Sequence, residues 1–182
     1  ALAIAGQWDE AETYLSRVAL DPEQGKATAV RTYIAGARGD ISLTVELAQQ
    51  ALEQLPSDDA FIRSQVALSL GTAYASSGEI TEARHALTEA IRYSKAAGRI
   101  SLTMLTISML GHIQEVQGRL RQAMQTHHEA LQLAESLGSR KIPSAGTAHV
   151  GIADILYEWN DLDGALYHAK MGCELSTLGG SK

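Results

Sequence analysis

The sequence predicts an all-α fold, a right-handed superhelix (α-solenoid) of antiparallel helix pairs with a period of about 40 residues. The main observation is a turn motif that recurs along the chain. Gly39, Gly78 and Gly118 are each followed by a charged residue and then an apolar one, and Asn160 and Gly6 open similar segments. Successive copies lie 33, 39, 40 and 42 residues apart. A repeat of this length is typical of stacked helix pairs, each of which buries its apolar face against its neighbours.

The residues within the motif explain the turn. A helix that stops and reverses within a few residues needs a left-handed residue after its last turn, and glycine adopts that conformation most easily. Asparagine tolerates it next best, which explains Asn160. Three residues beyond the first apolar position comes a small side chain, which lets two helices cross closely. In the four later copies these small residues are Thr44, Ala83, Ala123 and Ala165.

Composition supports the same fold. The 182 residues are 45% hydrophobic but only 5% aromatic, as expected for Ala- and Leu-rich helices. The formal net charge is −6, and no basic cluster occurs, so direct nucleic-acid binding is not expected. A single Cys indicates a reducing compartment. No apolar run is long enough to span a membrane, and the amino terminus lacks a secretory signal. We therefore expect a soluble, cytoplasmic domain without a cofactor.

The helices of the first three repeats follow from local signals. We expect the chain to begin inside a repeat, because the turn motif at Gly6 leaves room for only a short helix before it. Pro22 suits a first helical position, whereas Pro56 ends a helix. Between Phe61 and Tyr74 the apolar residues recur with the helical period. The predicted helices here span 8–20, 22–38, 41–55 and 80–97, and a further helix starts at 57–59 and includes Tyr74.

The second half of the chain continues the pattern. The segment around Met109 is unusually apolar, as expected for a helix packed on both sides. A Gly- and Pro-containing stretch at 138–143 is the longest predicted loop, and 179–182 is expected to be either frayed or a cut end. The predicted helices span 99–117, 120–137, 145–158 and 162–178. The repeats are approximately 1–20, 21–56, 57–98, 99–138 and 139–178, in one domain covering 1–182.

Two levels of resemblance follow from these residues. One segment resembles the tetratricopeptide (TPR) repeat at its characteristic positions. The matching residues are Leu70, Gly71, Tyr74, Gly78, Ala83 and Ala90. More specifically, the segment 148–162 (AHVGIADILYEWNDL) resembles a stretch of large ATP-dependent LuxR-type transcriptional regulators, the relatives of the bacterial maltose activator MalT. The segments 118–120 (GRL), 130–134 (ALQLA) and 143–146 (PSAG) resemble the same family.

This resemblance implies that the chain is the middle of a larger protein. Such regulators carry a nucleotide-hydrolysing switch before the repeats and a helix-turn-helix DNA-binding module after them. ATP is thus implied only for a module that this sequence lacks, because Gly25-Lys26-Ala27 has neither the upstream Gly nor the hydroxyl of a phosphate-binding loop. The resemblance implies a signal-sensing domain that controls oligomerisation. A start within a repeat also predicts homodimers of the isolated chain through uncapped ends.

The predicted binding face is the concave one, lined by the first helix of each pair. It becomes acidic toward the carboxyl end, which favours a basic peptide or another protein partner, or a small neutral polar effector. The alternative for each residue is an ordinary solvated surface. A stand-alone TPR scaffold is the alternative function, and an enzyme is disfavoured because no catalytic arrangement is recognised. The predicted site residues are Tyr33, Gln65, Thr72, Ser76, His112, Glu115, Asp154, Tyr157 and Glu158.

Other side chains could in principle act as metal ligands or catalysts, but we expect them to have structural roles. His112 and Glu115 share a helix face but are too few for a metal site. His127 occupies a position that is Leu in other repeats, so it is expected to be packed, and Cys173 is expected to be a buried thiol. Two further interpretations concern residues near the carboxyl end. Trp159 is expected to anchor packing or else to lie at the rim of a groove. His149 and His168 are not expected to be catalytic, because no Ser or Cys nucleophile accompanies them in a recognised arrangement.

Overall fold

A computed structural model describes residues 24–136 and 142–180 of the chain. These residues form eight α-helices in successive antiparallel pairs and contain no strand, which confirms the predicted fold class. The helices are α1 (Gln24–Ala37), α2 (Ile41–Gln54), α3 (Ala60–Ser77), α4 (Ile80–Ala96), α5 (Ile100–Val116), α6 (Leu120–Ser136), α7 (Ala145–Glu158) and α8 (Leu162–Gly180).

The predicted boundaries agree with these helices to within a few residues. Asp59 caps α3 by accepting a hydrogen bond from the backbone N–H of Ile62 at 3.1 Å. The one clear error is at the end of α8, which continues through Gly180 instead of fraying after Leu178. A glycine weakens a helix by about 1 kcal/mol but does not by itself end one. The predicted helix 8–20, the Gly6 turn and most of the loop 138–143 lie outside the described residues.

The turn residues adopt the predicted left-handed conformation. Their φ angles are 76° at Gly39, 83° at Gly78, 72° at Gly118 and 60° at Asn160. Asn160 is the one described residue other than glycine with a positive φ. Gly98, with φ of 64°, ends α4 in the same way and was not singled out by the motif. The small residues of the motif are buried where helices cross, as predicted: Thr44, Ala83, Ala123 and Ala165.

The chain divides into two compact units between Ala97 and Gly98. In the first unit, Ala48 and Ala51 of α2 pack with Val66 and Leu70 of α3. In the second, the core includes Met104 of α5 and side chains from each of the three later helices, Ala134, Ala145 and Leu175. Each core thus lies between neighbouring helix pairs, as a repeat architecture requires. One continuous stack over the whole chain stays a prediction.

Three predictions about packing have different outcomes. His127 is packed as expected, with 1% of its surface exposed. Cys173 is exposed, so the prediction of a buried thiol is wrong. Its counterpart Leu131 is partly covered because α7 packs on α6, whereas in the described part of the chain no helix follows α8 to cover Cys173. Trp159 caps α7 with 46% of its surface exposed and is not a buried anchor. Among the described helices, none combines the length and apolar character needed to cross a bilayer.

Candidate functional site

All nine predicted site residues lie on the first helix of a pair, but they fall into two groups. The first unit holds Tyr33 on α1 and three residues on α3, and the second holds two residues on α5 and three on α7. Within each unit the two first helices contact one another, α1 with α3 and α5 with α7. Each unit therefore carries its own group of candidate residues.

In the second unit, α5 and α7 enclose a groove of about 450 Å³, which we call the acidic groove. Four of the predicted site residues line it. Tyr157 stands at its edge with 67% of its surface exposed, and Val116 adds an exposed apolar side chain. The lining residues are Glu115, Val116, Gly118, Leu120, Asp154, Ile155, Tyr157 and Glu158.

Glu115 is held in the wall of this groove by one histidine and lies near a second. Its Oε1 lies 2.5 Å from Nε2 of His127, which donates the hydrogen bond from the second helix of the same pair. Its Oε2 lies 3.5 Å from Nδ1 of His112. The side chain of Glu115 is only 11% exposed, while that of His112 is 70% exposed. His112 thus stands beside the groove rather than lining it.

The His127 ring reaches Glu115 because two glycines leave room for it. A Cβ on Gly111 of α5 would lie 2.6 Å from the ring, and a Cβ on Gly151 of α7 would overlap it. The ring is therefore held between the first helices of two successive pairs. Sequence reasoning placed His127 in the interior but missed its contact with Glu115. The recurrence of Gly71, Gly111 and Gly151 every 40 residues was the available signal.

The acidic groove shifts the pKa of Asp154 upward. Partial burial is the main cause, and the nearby Glu115 carboxylate adds to it, while His112 and His127 act in the opposite direction. Bringing carboxylates together in a partly buried groove disfavours their charged forms. A positive charge placed in the groove would relieve this repulsion.

The first unit has a second groove of about 490 Å³ between α1, α2 and α3, which we call the hydroxyl groove. Its polar groups are hydroxyls set among small and apolar side chains. Thr72 donates to the carbonyl of Leu68 at 2.9 Å, and Ser76 donates to the carbonyl of Thr72 at 3.0 Å. Their oxygens remain able to accept a hydrogen bond. The lining residues are Tyr33, Gly36, Ala37, Gly39, Ile41, Thr44, Leu68, Ser69, Thr72, Ala73 and Ser76.

Gln65 is outside both grooves. It is exposed on α3, two turns before Thr72 on the same helix face. The structure thus groups three of the first-unit residues in one groove and four of the second-unit residues in the other, with Gln65 and His112 beside them.

A second polar contact was not anticipated from the sequence. Nδ1 of His149 on α7 lies 2.9 Å from Nδ1 of His168 on α8, so one ring donates a hydrogen bond to the other. Tyr167 meets His168 edge to face. In the described residues, no three His, Cys, Asp or Glu side chains are grouped so that they could hold a metal ion.

Comparison with known proteins identifies the type of repeat. Residues 25–181 match the sequence profile of the family described as the MalT-like TPR region. A search of curated proteins found no match.

Several solved structures share the fold. Aspartyl phosphate phosphatase F from Bacillus subtilis superposes with a TM-score of 0.79 at 18% identity, over 96% of this chain and 45% of that one. BtubC from P. vanneervenii gives 0.73 at 16% identity, over 94% and 72%. The TPR-like repeats of a putative kinesin light chain from Podosopora anserina give 0.71 at 16% identity, over 100% and 92%. The chain spans less than half of the phosphatase. At these identities the likeness shows the fold, a TPR-like solenoid typical of protein-interaction domains.

Proposed function

The chain belongs to the MalT-like TPR region family, and we propose from this that it is the signal-sensing and protein-interaction domain of a LuxR-type transcriptional regulator. In this proposal an effector or partner binds the first-helix surface and thereby controls the oligomeric state of the parent protein. The resemblance of residues 148–162 to such regulators supports the regulatory context. The parent's ATP-dependent switch and DNA-binding module belong to the same proposal.

The acidic groove carries the binding part of the proposal. Three carboxylates from α5 and α7 line it together with an exposed tyrosine, so it offers charge, hydrogen-bond acceptors and an aromatic face within one groove. An Arg or Lys side chain of a partner segment matches all three, because its cation pairs with carboxylates and its stem packs on an aromatic ring. The groove volume of about 450 Å³ accommodates one such side chain with its flanking backbone.

Fixation of Glu115 supports the same assignment. Because His127 already holds Oε1, the carboxylate does not need to be ordered when a ligand arrives, and less conformational entropy is lost on binding. Asp154 and Glu158 lie one turn apart on α7 and present their carboxylates to the same side. A cation between α5 and α7 therefore bridges two successive helix pairs, which is how binding would reach the rest of a repeat stack.

A neutral polar effector fits the hydroxyl groove better. That groove has acceptors on Thr72 and Ser76 but no carboxylate among its lining residues. A ligand with hydroxyl or amide donors would satisfy these acceptors while its apolar parts contact Ile41 and Leu68. The two grooves thus give the proposal two separable binding activities.

Peptide binding tests the acidic groove directly. We expect fluorescent peptides containing Arg or Lys to bind the purified chain, with affinity that falls as salt rises. The double variant Asp154→Asn/Glu158→Gln is expected to weaken binding by about two- to thirtyfold, since each exposed charge pair contributes about 0.2–1 kcal/mol. The matched control is Glu129→Gln/Asp163→Asn, which removes the same charge from exposed positions on α6 and α8.

The outcomes separate the parts of the proposal. Equal weakening by the two double variants would show that net charge alone attracts the peptide, and the acidic groove would be rejected. If the peptide binds but light scattering shows no change in molar mass, the chain is a protein-interaction domain that does not control oligomerisation.

A thermal-shift screen of sugars and small polar metabolites, repeated with Thr72→Val, tests the hydroxyl groove. A ligand at 100 times its Kd stabilises the folded chain by about 2.7 kcal/mol.

A further inference from the structure

The first unit has a further groove, of about 310 Å³, that plays no part in the function proposed above. The second helices α2 and α4 form its two walls, so we call it the second-helix groove. Its floor is α3, which packs against both of them. The lining residues are Leu52, Ala67, Leu70, Tyr74, Thr81, Glu82, His85, Ala86 and Glu89.

The floor of the second-helix groove is apolar. Leu70 of α3 and Ala86 of α4 belong to the core of the first unit, and Leu52 of α2 packs against that core while staying partly open to the groove. Ala67 is a further buried apolar residue of the floor. An apolar side chain from outside therefore finds apolar partners on all three helices.

The wall formed by α4 is acidic. Glu82 and Glu89 are seven residues apart, which places them on one helix face, two turns or about 10.5 Å from each other. Glu89 also pairs with Arg92 at 2.6 Å, and this hydrogen bond is the main reason that the pKa of Glu89 is lowered. A carboxylate accepts about four hydrogen bonds, so Glu89 stays ionised and can accept from a second cation.

The wall formed by α2 is acidic as well. Gln49 donates a hydrogen bond from Nε2 to the hydroxyl of Tyr74, at 2.8 Å, and thus marks the side of α2 that faces the groove. The exposed Glu46 and Glu53 lie one turn before and one turn after Gln49. Carboxylates therefore flank the apolar floor on both sides.

We propose that the second-helix groove is the docking site of a basic amphipathic helix from a partner protein. An apolar side chain of this helix rests on Leu70 and Ala86, and Lys or Arg residues on its two flanks face the carboxylates of α2 and α4. Helices commonly bind to proteins in this way, with an apolar face in a groove and complementary charges at the rim.

The spacing of the carboxylates favours a helix over an extended peptide. Basic residues seven positions apart on a helix lie on one face about 10.5 Å from each other, which matches Glu82 and Glu89. In an extended peptide, side chains on one face lie about 6.6 or 13.2 Å apart, because successive residues alternate between faces. Neither of these distances matches the two carboxylates.

The test uses a synthetic, fluorescein-labelled peptide of about 18 residues, with Leu and Ala on one helix face and Lys on both flanks. Fluorescence anisotropy with the full chain measures its affinity. We expect saturable binding that weakens as salt rises. A peptide of the same composition in scrambled order has no apolar face and is expected to bind about tenfold more weakly or worse, because no Leu is buried.

Two double variants locate the binding. Glu53→Gln/Glu82→Gln removes one carboxylate from each wall and is expected to weaken binding by about two- to thirtyfold. Asp154→Asn/Glu158→Gln removes the same charge from the acidic groove of the second unit and is expected to leave the affinity unchanged. This control also separates the present proposal from the function proposed for the acidic groove.

Photocrosslinking gives the position directly. A photoreactive leucine analogue in the apolar face of the peptide is expected to crosslink to α2, α3 or α4, as read by mass spectrometry of the digested chain. Crosslinks confined to 98–182, absence of saturable binding, or equal weakening by the two double variants would overturn the proposal. Displacement of the peptide by an equal concentration of spermidine would also overturn it, because the groove would then recognise charge alone.

Circular dichroism of each variant confirms that a loss of binding is not a loss of folding.

Discussion

Glu115 and His127 are twelve residues apart in the chain, yet Oε1 and Nε2 approach to 2.5 Å inside the second unit. The imidazole side chain is 1% exposed and the carboxylate side chain 11% exposed. Because the acceptor is a carboxylate, this is a charge-assisted hydrogen bond largely shielded from water. The other ring nitrogen, Nδ1, is buried without a hydrogen-bond partner. The pair therefore joins the groove wall to the interior, and changes in either residue affect both.

Removing the ring tests how much this pair stabilises the fold. His127→Ala is expected to lower the free energy of unfolding by about 3 kcal/mol, because it opens a cavity and leaves Glu115 without its buried partner. Urea denaturation measures the change. His112→Ala is the control, since His112 also faces Glu115 but is mostly exposed, and a change within ~0.5 kcal/mol is expected. Similar losses in both variants would show that the buried pair has no special role.

The glycines around His127 give a second prediction. Gly151→Ala is expected to destabilise the chain by about 1–3 kcal/mol, because the new methyl group would overlap a ring that has no room to move. In the His127→Ala background the same change is expected to be neutral or stabilising, since the methyl group then enters an empty space. A double-mutant cycle by thermal or urea denaturation measures this coupling.

Gly36→Ala is the matched control for that cycle. A Cβ there would lie 3.7 Å from Thr44, an ordinary contact. The higher helix propensity of Ala is expected to stabilise α1 by up to about 1 kcal/mol. Destabilisation by Gly151→Ala that persists without the His127 ring would contradict the steric explanation.

Arg63 is predicted to stabilise the first unit far more than its neighbour Arg92. Both guanidinium groups lie over the Tyr93 ring, at 4.9 and 4.2 Å from its centre. Arg63 also donates to the carbonyls of Leu52 and Leu55 at the end of α2, at 2.8 and 2.9 Å. Arg63→Met is thus expected to cost about 2–3 kcal/mol, because hydrogen bonds from a charged donor to the helix end are lost.

Arg92→Met provides the comparison. Arg92 pairs with Glu89 at 2.6 Å on the surface of α4, and exposed pairs of this kind contribute only about 0.2–1 kcal/mol. Chemical denaturation of both variants ranks them. If the two losses are equal, stacking on Tyr93 and not capping of α2 accounts for the effect of Arg63.

The His149–His168 pair predicts a loss of stability in mild acid. Burial lowers the pKa of both rings in the folded chain, so below the ordinary pKa of about 6.5 the unfolded chain binds more protons. The free energy of unfolding is therefore expected to fall as the pH is lowered from 7.5 to 5.5. Asp154 acts in the opposite direction, because its raised pKa favours the folded chain in acid, but at a lower pH.

Replacing one ring checks the assignment of this pH dependence. His168→Gln is expected to flatten the fall in stability between pH 7.5 and 5.5, measured by urea denaturation at each pH. His85→Gln, an exposed change on α4, serves as the control and should keep the slope of the original chain. An unchanged slope in His168→Gln would assign the pH dependence to other groups.

Much of the fold follows from the sequence because its determinants are local. A left-handed residue ends each first helix, so Gly78, Gly118 and Asn160 mark turns without knowledge of the tertiary structure. Burial of Ala83 and Ala123 follows from their fixed distance to those turns. Helix ends without such a signal are less certain, as the glycines that close α8 show.

The site was predictable in part. Placing the candidates on first helices needs only the repeat register, and seven of the nine line a groove. Contacts between side chains on different helices depend on rotation and tilt, which periodicity does not specify. The Glu115–His127 and His149–His168 contacts are of this kind. Exposure of Cys173 was missed because its counterpart Leu131 is covered by a following helix.

Cys173 gives the molecule a chemical handle at a known position. It is the only cysteine in the sequence and is exposed on α8. A maleimide fluorophore therefore attaches at one site without any substitution elsewhere. His168 precedes Cys173 by five residues, about 7.5 Å along the helix axis. The light emitted by that dye therefore reports on the surroundings of the His149–His168 contact.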